Sequence, residues 1–185
     1  MEIIIIAGPN GSGKSTLASQ LGLKCDFISA DKCEKDLLAH ILDKDERELK
    51  ATIYVAKAIM AAISTNQSCA FETVFSTEQM PEFLKNAKRQ GYKISLHFVA
   101  TETPEINIRR VAQRVKQGGH DVPREKIISR YEKTMKILPL LIEFVDEAII
   151  YDNSKDKIRA FMVKENNQIK IISDIPNWAI DLPQY

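Results

Sequence analysis

Short apolar runs alternate along the chain with segments whose apolar residues recur at helical spacing, a pattern that predicts a parallel sheet covered by crossover helices. Runs of strand length fall at 3–7, 26–29, 70–74, 94–100 and 148–151. The first, Ile3-Ile4-Ile5-Ile6, does not alternate with polar positions and so belongs at the centre of the sheet, buried on both faces. Helical stretches start near Lys14, Lys35, Glu46, Glu78, Glu105 and Arg124. Leu49, Ile53, Ala56, Ile59, Met60 and Ile63 keep the spacing of one apolar helix face. After Asp152 the pattern changes: apolar runs at 158–163 and 169–172 flank Glu165-Asn166-Asn167-Gln168. They read as an antiparallel hairpin over about 157–175, a small appendage to the sheet.

With 185 residues, 44% hydrophobic and 28% charged, the chain has the composition of one globular domain and is too apolar for a disordered one. The 26 Lys+Arg against 25 Asp+Glu leave a formal charge of +1, which argues against general nucleic-acid or anionic-membrane binding through net charge. Met1-Glu2 puts an acid where a signal peptide carries basic residues, and the following apolar run is too short to span a bilayer. A cytoplasmic protein without a membrane partner is expected. Cys25, Cys33 and Cys69 form no C-x-x-C pair and are odd in number, which suits a reducing compartment, rejects a structural zinc site and makes them core filler.

Chemistry enters between the first strand and the first helix. Gly8-Pro9-Asn10-Gly11-Ser12-Gly13-Lys14-Ser15, followed by Thr16, satisfies G-x-x-x-x-G-K-[ST], the Walker A pattern, in the strand-to-helix context it requires. A chance match in a chain of this length is a roughly one-in-a-hundred event before context is counted. Glycines let successive backbone N–H groups turn toward an anion, and the following helix adds its positive end. Lys14 neutralises β/γ-phosphate charge, and Ser15 places its hydroxyl on Mg²⁺. ATP and Mg²⁺ are the expected cofactors.

Ligands of open α/β sheets bind beyond the carboxyl ends of the strands. Asp31 follows the second strand and reads either as a general base on an acceptor hydroxyl or as the N-cap of the next helix. Glu72 lies inside the third strand between Phe71 and Thr73, where a charge is costly unless paired or used. It binds substrate or a Mg²⁺-bound water, or else it marks a solvated sheet edge. From Arg109 to Lys136 nine basic residues face three acids, a local balance of +6. Arg110 and Arg114 share a helix face and lead into Gln117-Gly118-Gly119-His120-Asp121-Val122-Pro123. A cationic helix with a Gly-Gly hinge suits a phosphoryl-transfer lid, here about 105–135, in which His120 is either a positioning residue or simply exposed.

Over about residues 1–154 the sequence resembles the zeta-toxin family of P-loop kinases, in particular its short stand-alone members described as predicted ATPases. The resemblance rests on Gly8 to Thr16, Ser29-Ala30-Asp31, Phe71-Glu72-Thr73 and Gly91-Tyr92-Lys93 leading into Phe98-Val99-Ala100-Thr101. It rests further on Arg110 with Arg114, on Gly118 to Pro123 and on Tyr151-Asp152-Asn153-Ser154. It implies a single-domain P-loop NTPase, a three-layer sandwich whose mainly parallel five-stranded sheet has the order 2-3-1-4-5. Further implications are Asp31 as base, Glu72 and Thr73 meeting the acceptor, Arg110 (or its neighbour Arg109) with Arg114 on the ATP phosphates, and an antitoxin as candidate partner. The toxins phosphorylate the 3′-hydroxyl of the amino sugar in UDP-N-acetylglucosamine. This chain departs from them in its shorter length, its lid sequence and Ser76, which stands where the toxins carry a basic residue.

The expected activity is therefore ATP-dependent transfer of a γ-phosphoryl group to a small-molecule hydroxyl, that of UDP-N-acetylglucosamine or a relative. The alternatives are another small-molecule or polynucleotide-end P-loop kinase, or an ATP-binding regulatory module with little turnover. The expected catalytic set is Lys14, Asp31, Arg110 and Arg114. Nucleotide would be held by Gly8, Asn10, Gly11, Ser12, Gly13, Lys14, Ser15 and Thr16, the acceptor by Glu72 and Thr73, and the metal by Ser15.

Overall fold

Parallel strands carry one face toward each covering layer, and β1 (Glu2–Ala7) does so in the computed structural model, which describes residues 1–76 and 80–182. Ile3 and Ile5 point into a large core with β3 (Cys69–Thr73), β4 (Lys93–Ala100), α3 (Lys44–Ser64), α4 (Glu82–Arg89) and α6 (Arg124–Phe144). Ile6 points the other way, with Leu17 and Ala18 of α1 (Lys14–Gln20) and Val99, and Ile4 packs against that group. Helices thus cover both faces, giving the three layers expected.

The remaining elements are β2 (Asp26–Ile28), α2 (Ala30–Asp36), α5 (Pro104–Lys116), β5 (Glu147–Asp152), β6 (Arg159–Glu165), β7 (Gln168–Ile171) and a 3₁₀ turn at Asn177–Ala179. The sheet runs β2-β3-β1-β4-β5-β6-β7, so its parallel part has the order 2-3-1-4-5 that the resemblance implies.

Three expectations change. The hairpin is not an appendage, because β6 pairs antiparallel with β5 and extends the same sheet to seven strands. Its turn is the two-residue Asn166-Asn167, both at positive φ (49° and 61°), and its inner face is core: Phe161 and Met162 are buried, with Phe161 edge-on to Trp178 at 5.5 Å. Lys164 is buried too and donates to Ile142 O (2.8 Å), Glu143 O (3.1 Å) and Val145 O (2.7 Å), capping the end of α6.

The second helix does not begin near Lys35. It runs from Ala30 to Asp36 and ends there, because the polypeptide turns into helix directly at the end of β2 with Ser29 at the N-cap. The expected start at Glu78 lies outside the described residues; the helix described there begins at Glu82.

In α3, whose N-cap Asp43 accepts from Glu46 N at 2.7 Å, the buried stripe is Ala51, Ile59 and Ile63 with Val55 and Ala62 partly buried beside it. Leu49 and Met60 keep 61% and 51% of their surface exposed, and Ile53 and Ala56 are exposed as well. Two apolar stripes run side by side, and the helix lies over the narrow β2–β3 edge of the sheet, which covers only one of them. No helix among the described residues is long and apolar enough to cross a membrane.

Candidate active site

The loop from Gly8 to Lys14 joins the central strand to α1 and is fixed from behind. A Cβ on Gly8 (φ 149°) would stand 2.0 Å from Val99 O, and one on Gly13 (φ 104°) 2.5 Å from Asn153 Nδ2. Both positions demand glycine for conformation and for space. Asn153, just past β5, donates from Nδ2 to Ser12 O at 2.7 Å, while its own N–H bonds Ala100 O at 2.8 Å. Asn153 therefore ties the loop to the ends of β4 and β5. Its short motif carried no positioning role in the sequence reading, and it is a residue that reading missed.

Lys14 is 7% exposed and donates from Nζ to Pro9 O at 3.0 Å. Burial lowers its pKa below 10.5, and the nearby carboxylates of Glu72 and Asp31 work against that shift. Ser12 Oγ, Arg110 Nη1 and Arg114 Nε are buried donors with no hydrogen-bond partner. Burial also lowers the Arg110 pKa, with Asp152 opposing. Buried nitrogens of Arg110 and Arg114 left without hydrogen-bond acceptors, gathered near a desolvated Lys14, suit an anion.

Lys14, Arg110 and Arg114 open on one cleft of about 780 Å³, near the upper end of the ligand-pocket range. Asn10, Gly11, Gly13, Lys14, Ser15, Thr16, Asp31, Glu72, Thr73, Arg110 and Arg114 all line it. Gly8 and the fully buried Ser12 stand behind it as support. Arg130 lines the cleft as well, with Nη1 3.3 Å from Asn10 Oδ1, although the sequence reading left it among the surface charges. The signal was available: Ile127, Tyr131 and Thr134 mark the buried face of α6, and Arg130 borders it.

Asp31 is the second residue of α2, inside its first turn, so the N-cap alternative is not realised. Its side chain is 52% exposed, with Oδ2 3.9 Å from Arg114 Nη1. Arg114 Nη2 also donates to His120 O at 2.7 Å, and Arg110 Nη2 to Lys155 O at 3.2 Å. Ser15 Oγ donates to Glu72 Oε2 at 2.9 Å. Thr73 Oγ1 accepts from Phe75 N at 3.2 Å, so part of its hydrogen-bonding capacity shapes the turn after β3.

The segment expected to form a lid has its own small core of Val111, Val122 and Ile127, separate from the main one. Its loop docks on the opposite wall: His120 lies 3.7 Å from Glu34 and 3.5 Å from Glu48, and Lys44 Nζ donates to Asp121 O at 3.0 Å. Cys33 and Cys69 are buried and Cys25 partly so. Burial raises all three thiol pKa values, that of Cys69 to about 11, which removes them as nucleophiles. No group of three or more His, Cys, Asp or Glu able to hold a metal occurs among the described residues. A phosphate-bridging Mg²⁺ does not need one, since phosphate and water oxygens fill most of its sphere.

A family model described as "AAA domain" matches residues 3–134. An uncharacterized protein of Haemophilus influenzae is 27% identical over 136 residues, spanning 70% of this chain and 92% of that protein. The structure of the AvrRxo1-ORF1:-ORF2 complex with ATP superposes with a TM-score of 0.72 at 13% identity. That match covers 92% of this chain, which spans only 60% of the chain it matches. A structure from the PezAT chromosomal toxin-antitoxin system of Streptococcus pneumoniae gives a TM-score of 0.57 at 19% identity, covering 82% and 68% of the two chains. At such identities the likeness is one of fold. With a matching phosphate loop, strand order and family model covering most of its length, the chain belongs to the AAA domain family.

Proposed function

We propose that the protein is an ATP- and Mg²⁺-dependent kinase that transfers the γ-phosphoryl group to a hydroxyl of a small molecule. The observation that carries this reading is the convergence on one cleft of a buried Lys14, the unpartnered nitrogens of Arg110 and Arg114, and a carboxylate, Asp31, within 3.9 Å of Arg114. In this reading the loop N–H groups and Lys14 hold the β- and γ-phosphates, and Arg110, Arg114 and Arg130 stabilise charge that spreads over the γ-phosphoryl oxygens during transfer. Ser15 and Glu72 are the residues to hold Mg²⁺, which when bound neutralises phosphate charge. Asp31 orients the acceptor hydroxyl and takes its proton. The docked lid keeps water from the γ-phosphate.

UDP-N-acetylglucosamine is the acceptor that the zeta-toxin resemblance implies, and an antitoxin the corresponding protein partner. The test is incubation of the protein with Mg²⁺ and γ-labelled ATP, with and without a metabolite extract, followed by mass spectrometry for products heavier by one phosphoryl group. Labelled products that vanish with Lys14→Ala are expected. ATP binding without any labelled product would leave a nucleotide-binding regulatory module and overturn the kinase reading.

A further inference from the structure

The helix that carries Arg114 ends in a Schellman motif: Gly118, at φ 81°, donates from its N–H to Val115 O at 2.9 Å, and Gly119 donates to Arg114 O at 2.9 Å. Such an ending brings the second residue past the cap against the third residue before it, here Gly119 against Arg114. A Cβ on Gly119 would stand 2.5 Å from Arg114 Cγ, 3.2 Å from Cδ and 3.0 Å from the arginine's carbonyl oxygen. Gly119 is outside the left-handed region, so its position demands space and not an unusual φ. The same turn puts His120 O 2.7 Å from Arg114 Nη2. The arginine stem therefore lies against bare backbone, its head is fixed through Nη2, and its buried Nε is left without an acceptor.

Two adjacent glycines leave a loop conformationally free unless something else holds it. The His120 ring, 25% exposed, stands between two helices of the opposite wall, with Nδ1 3.7 Å from Glu34 of α2 and Nε2 3.5 Å from Glu48 of α3. Both carboxylates have other cations: Arg47 Nε lies 3.6 Å from Glu34 and Lys44 Nζ 3.7 Å from Glu48, and Lys44 also donates to Asp121 O at 3.0 Å. The wall is charge-balanced without the histidine, so what the ring adds is the location of its own backbone. We infer that Gly119 and His120 are positioning residues for Arg114: the glycine gives the arginine stem room, the His120 carbonyl sets its head, and the His120 ring fixes that carbonyl against α2 and α3. This rests on the kinase reading above and deepens it, since the arginine is set for the γ-phosphoryl group only while the loop is docked. A donor held in place before transfer needs no reorganisation when charge develops.

The experiment follows product formation by the full chain from γ-labelled ATP and a metabolite extract at saturating Mg²⁺-ATP, and measures the Kd for β,γ-methylene-ATP by calorimetry. Gly119→Ala fills the space of the stem, and His120→Ala removes the ring while keeping the carbonyl. Each is expected to slow product formation about tenfold and to leave the Kd within about threefold of wild type. In an Arg114→Ala background the same substitutions are expected to slow it no further, a result that general loosening of the loop does not give. Slowing of equal size with and without the arginine, a Kd that rises as much as the rate falls, or unchanged rates would each overturn the inference. Failure of the kinase reading shows separately, as a wild type that binds β,γ-methylene-ATP and forms no product, and the positioning roles fall with it.

Discussion

Ser15, the first hydroxyl after the phosphate-loop lysine, donates a 2.9 Å hydrogen bond to Glu72 at the carboxyl end of the neighbouring strand. The bond joins α1 to β3 across the mouth of the cleft, and it puts the one side chain expected on Mg²⁺ beside a carboxylate able to bind the ion's water shell. Glu72→Gln keeps an acceptor for Ser15 and removes the charge. It is therefore expected to raise the Mg²⁺ concentration needed for half-maximal ATP turnover by about tenfold while changing thermal stability little. Titration of turnover against Mg²⁺ at saturating ATP checks this, and an unshifted curve would remove Glu72 from the metal's surroundings.

Lys14→Met should abolish ATP turnover in a protein that still folds, because the side chain contributes a charge to the loop and no apolar packing. Mg²⁺-ATP at about 100 times its Kd should stabilise the wild type by about 2.7 kcal/mol, and the variant much less. A pH dependence follows from the lowered pKa of Lys14. In the free protein the ammonium loses its proton as pH rises through a value below 10.5, whereas bound phosphate favours the charged form. ATP affinity should accordingly decline as pH rises through that lowered value, a decline that Lys14→Met lacks. Calorimetric titration of both proteins across that value distinguishes them.

The parts of this site that were legible in the sequence are those fixed by local chemistry. A glycine pattern with Lys14 and Ser15 specifies its own backbone, and four successive isoleucines specify a central strand. What was not legible depends on which of several local possibilities the tertiary structure selects. The spacing of Leu49, Ile53, Ala56, Ile59, Met60 and Ile63 identifies a helix and two of its buried residues, Ile59 and Ile63, but Leu49, Ile53, Ala56 and Met60 stay exposed because Ala51 and Val55 complete the stripe that fits the sheet edge. Arg130 and Asn153 reach the phosphate loop from positions 120 and 141 residues away, a proximity that no local pattern encodes. The hairpin was visible, but its docking was not: an alternating strand with Lys164 on its inner side does not read as core until α6 presents three carbonyls to that lysine.

Lys164→Met tests that docking. The methionine fills much of the same space but leaves the carbonyls of Ile142, Glu143 and Val145 without the ammonium they share. Burial lowers the lysine's pKa, so part of the loss is offset by removing a charge that is itself poorly solvated. The net destabilisation expected is about 1–3 kcal/mol, or roughly 2–4 °C in melting temperature for each kcal/mol in a domain of this size. ATP binding should be unchanged when measured well below the melting transition. A variant as stable as the wild type would show that the hairpin is held by Phe161 and Met162 alone.

The pairing of Asp31 with Arg114 allows the two chemical roles to be separated by substitution. Asp31 Oδ2 lies 3.9 Å from a guanidinium that also bonds the lid backbone at His120, so in the free protein one arginine bridges the lid and the candidate base. If Arg114 turns to the γ-phosphoryl group during transfer, Arg114→Ala should lower kcat by about 10²-fold or more and weaken ATP binding far less. A rise in the KM for ATP alone would make it a ground-state clamp. Asp31→Asn is nearly isosteric and leaves the helix N-cap at Ser29 untouched, so it removes the proton acceptor without an expected loss of fold. The expected outcome is acceptor phosphorylation reduced by at least about 10²-fold, with Mg²⁺-ATP affinity within a few-fold of wild type. Affinity lost by orders of magnitude would place Asp31 on the metal, and normal transfer would leave it only the ion pair. Because the residues share a contact, the double variant should lose less than the sum of the two single losses in activation free energy. Strict additivity would show that the bridge seen in the free protein is absent when the enzyme turns over.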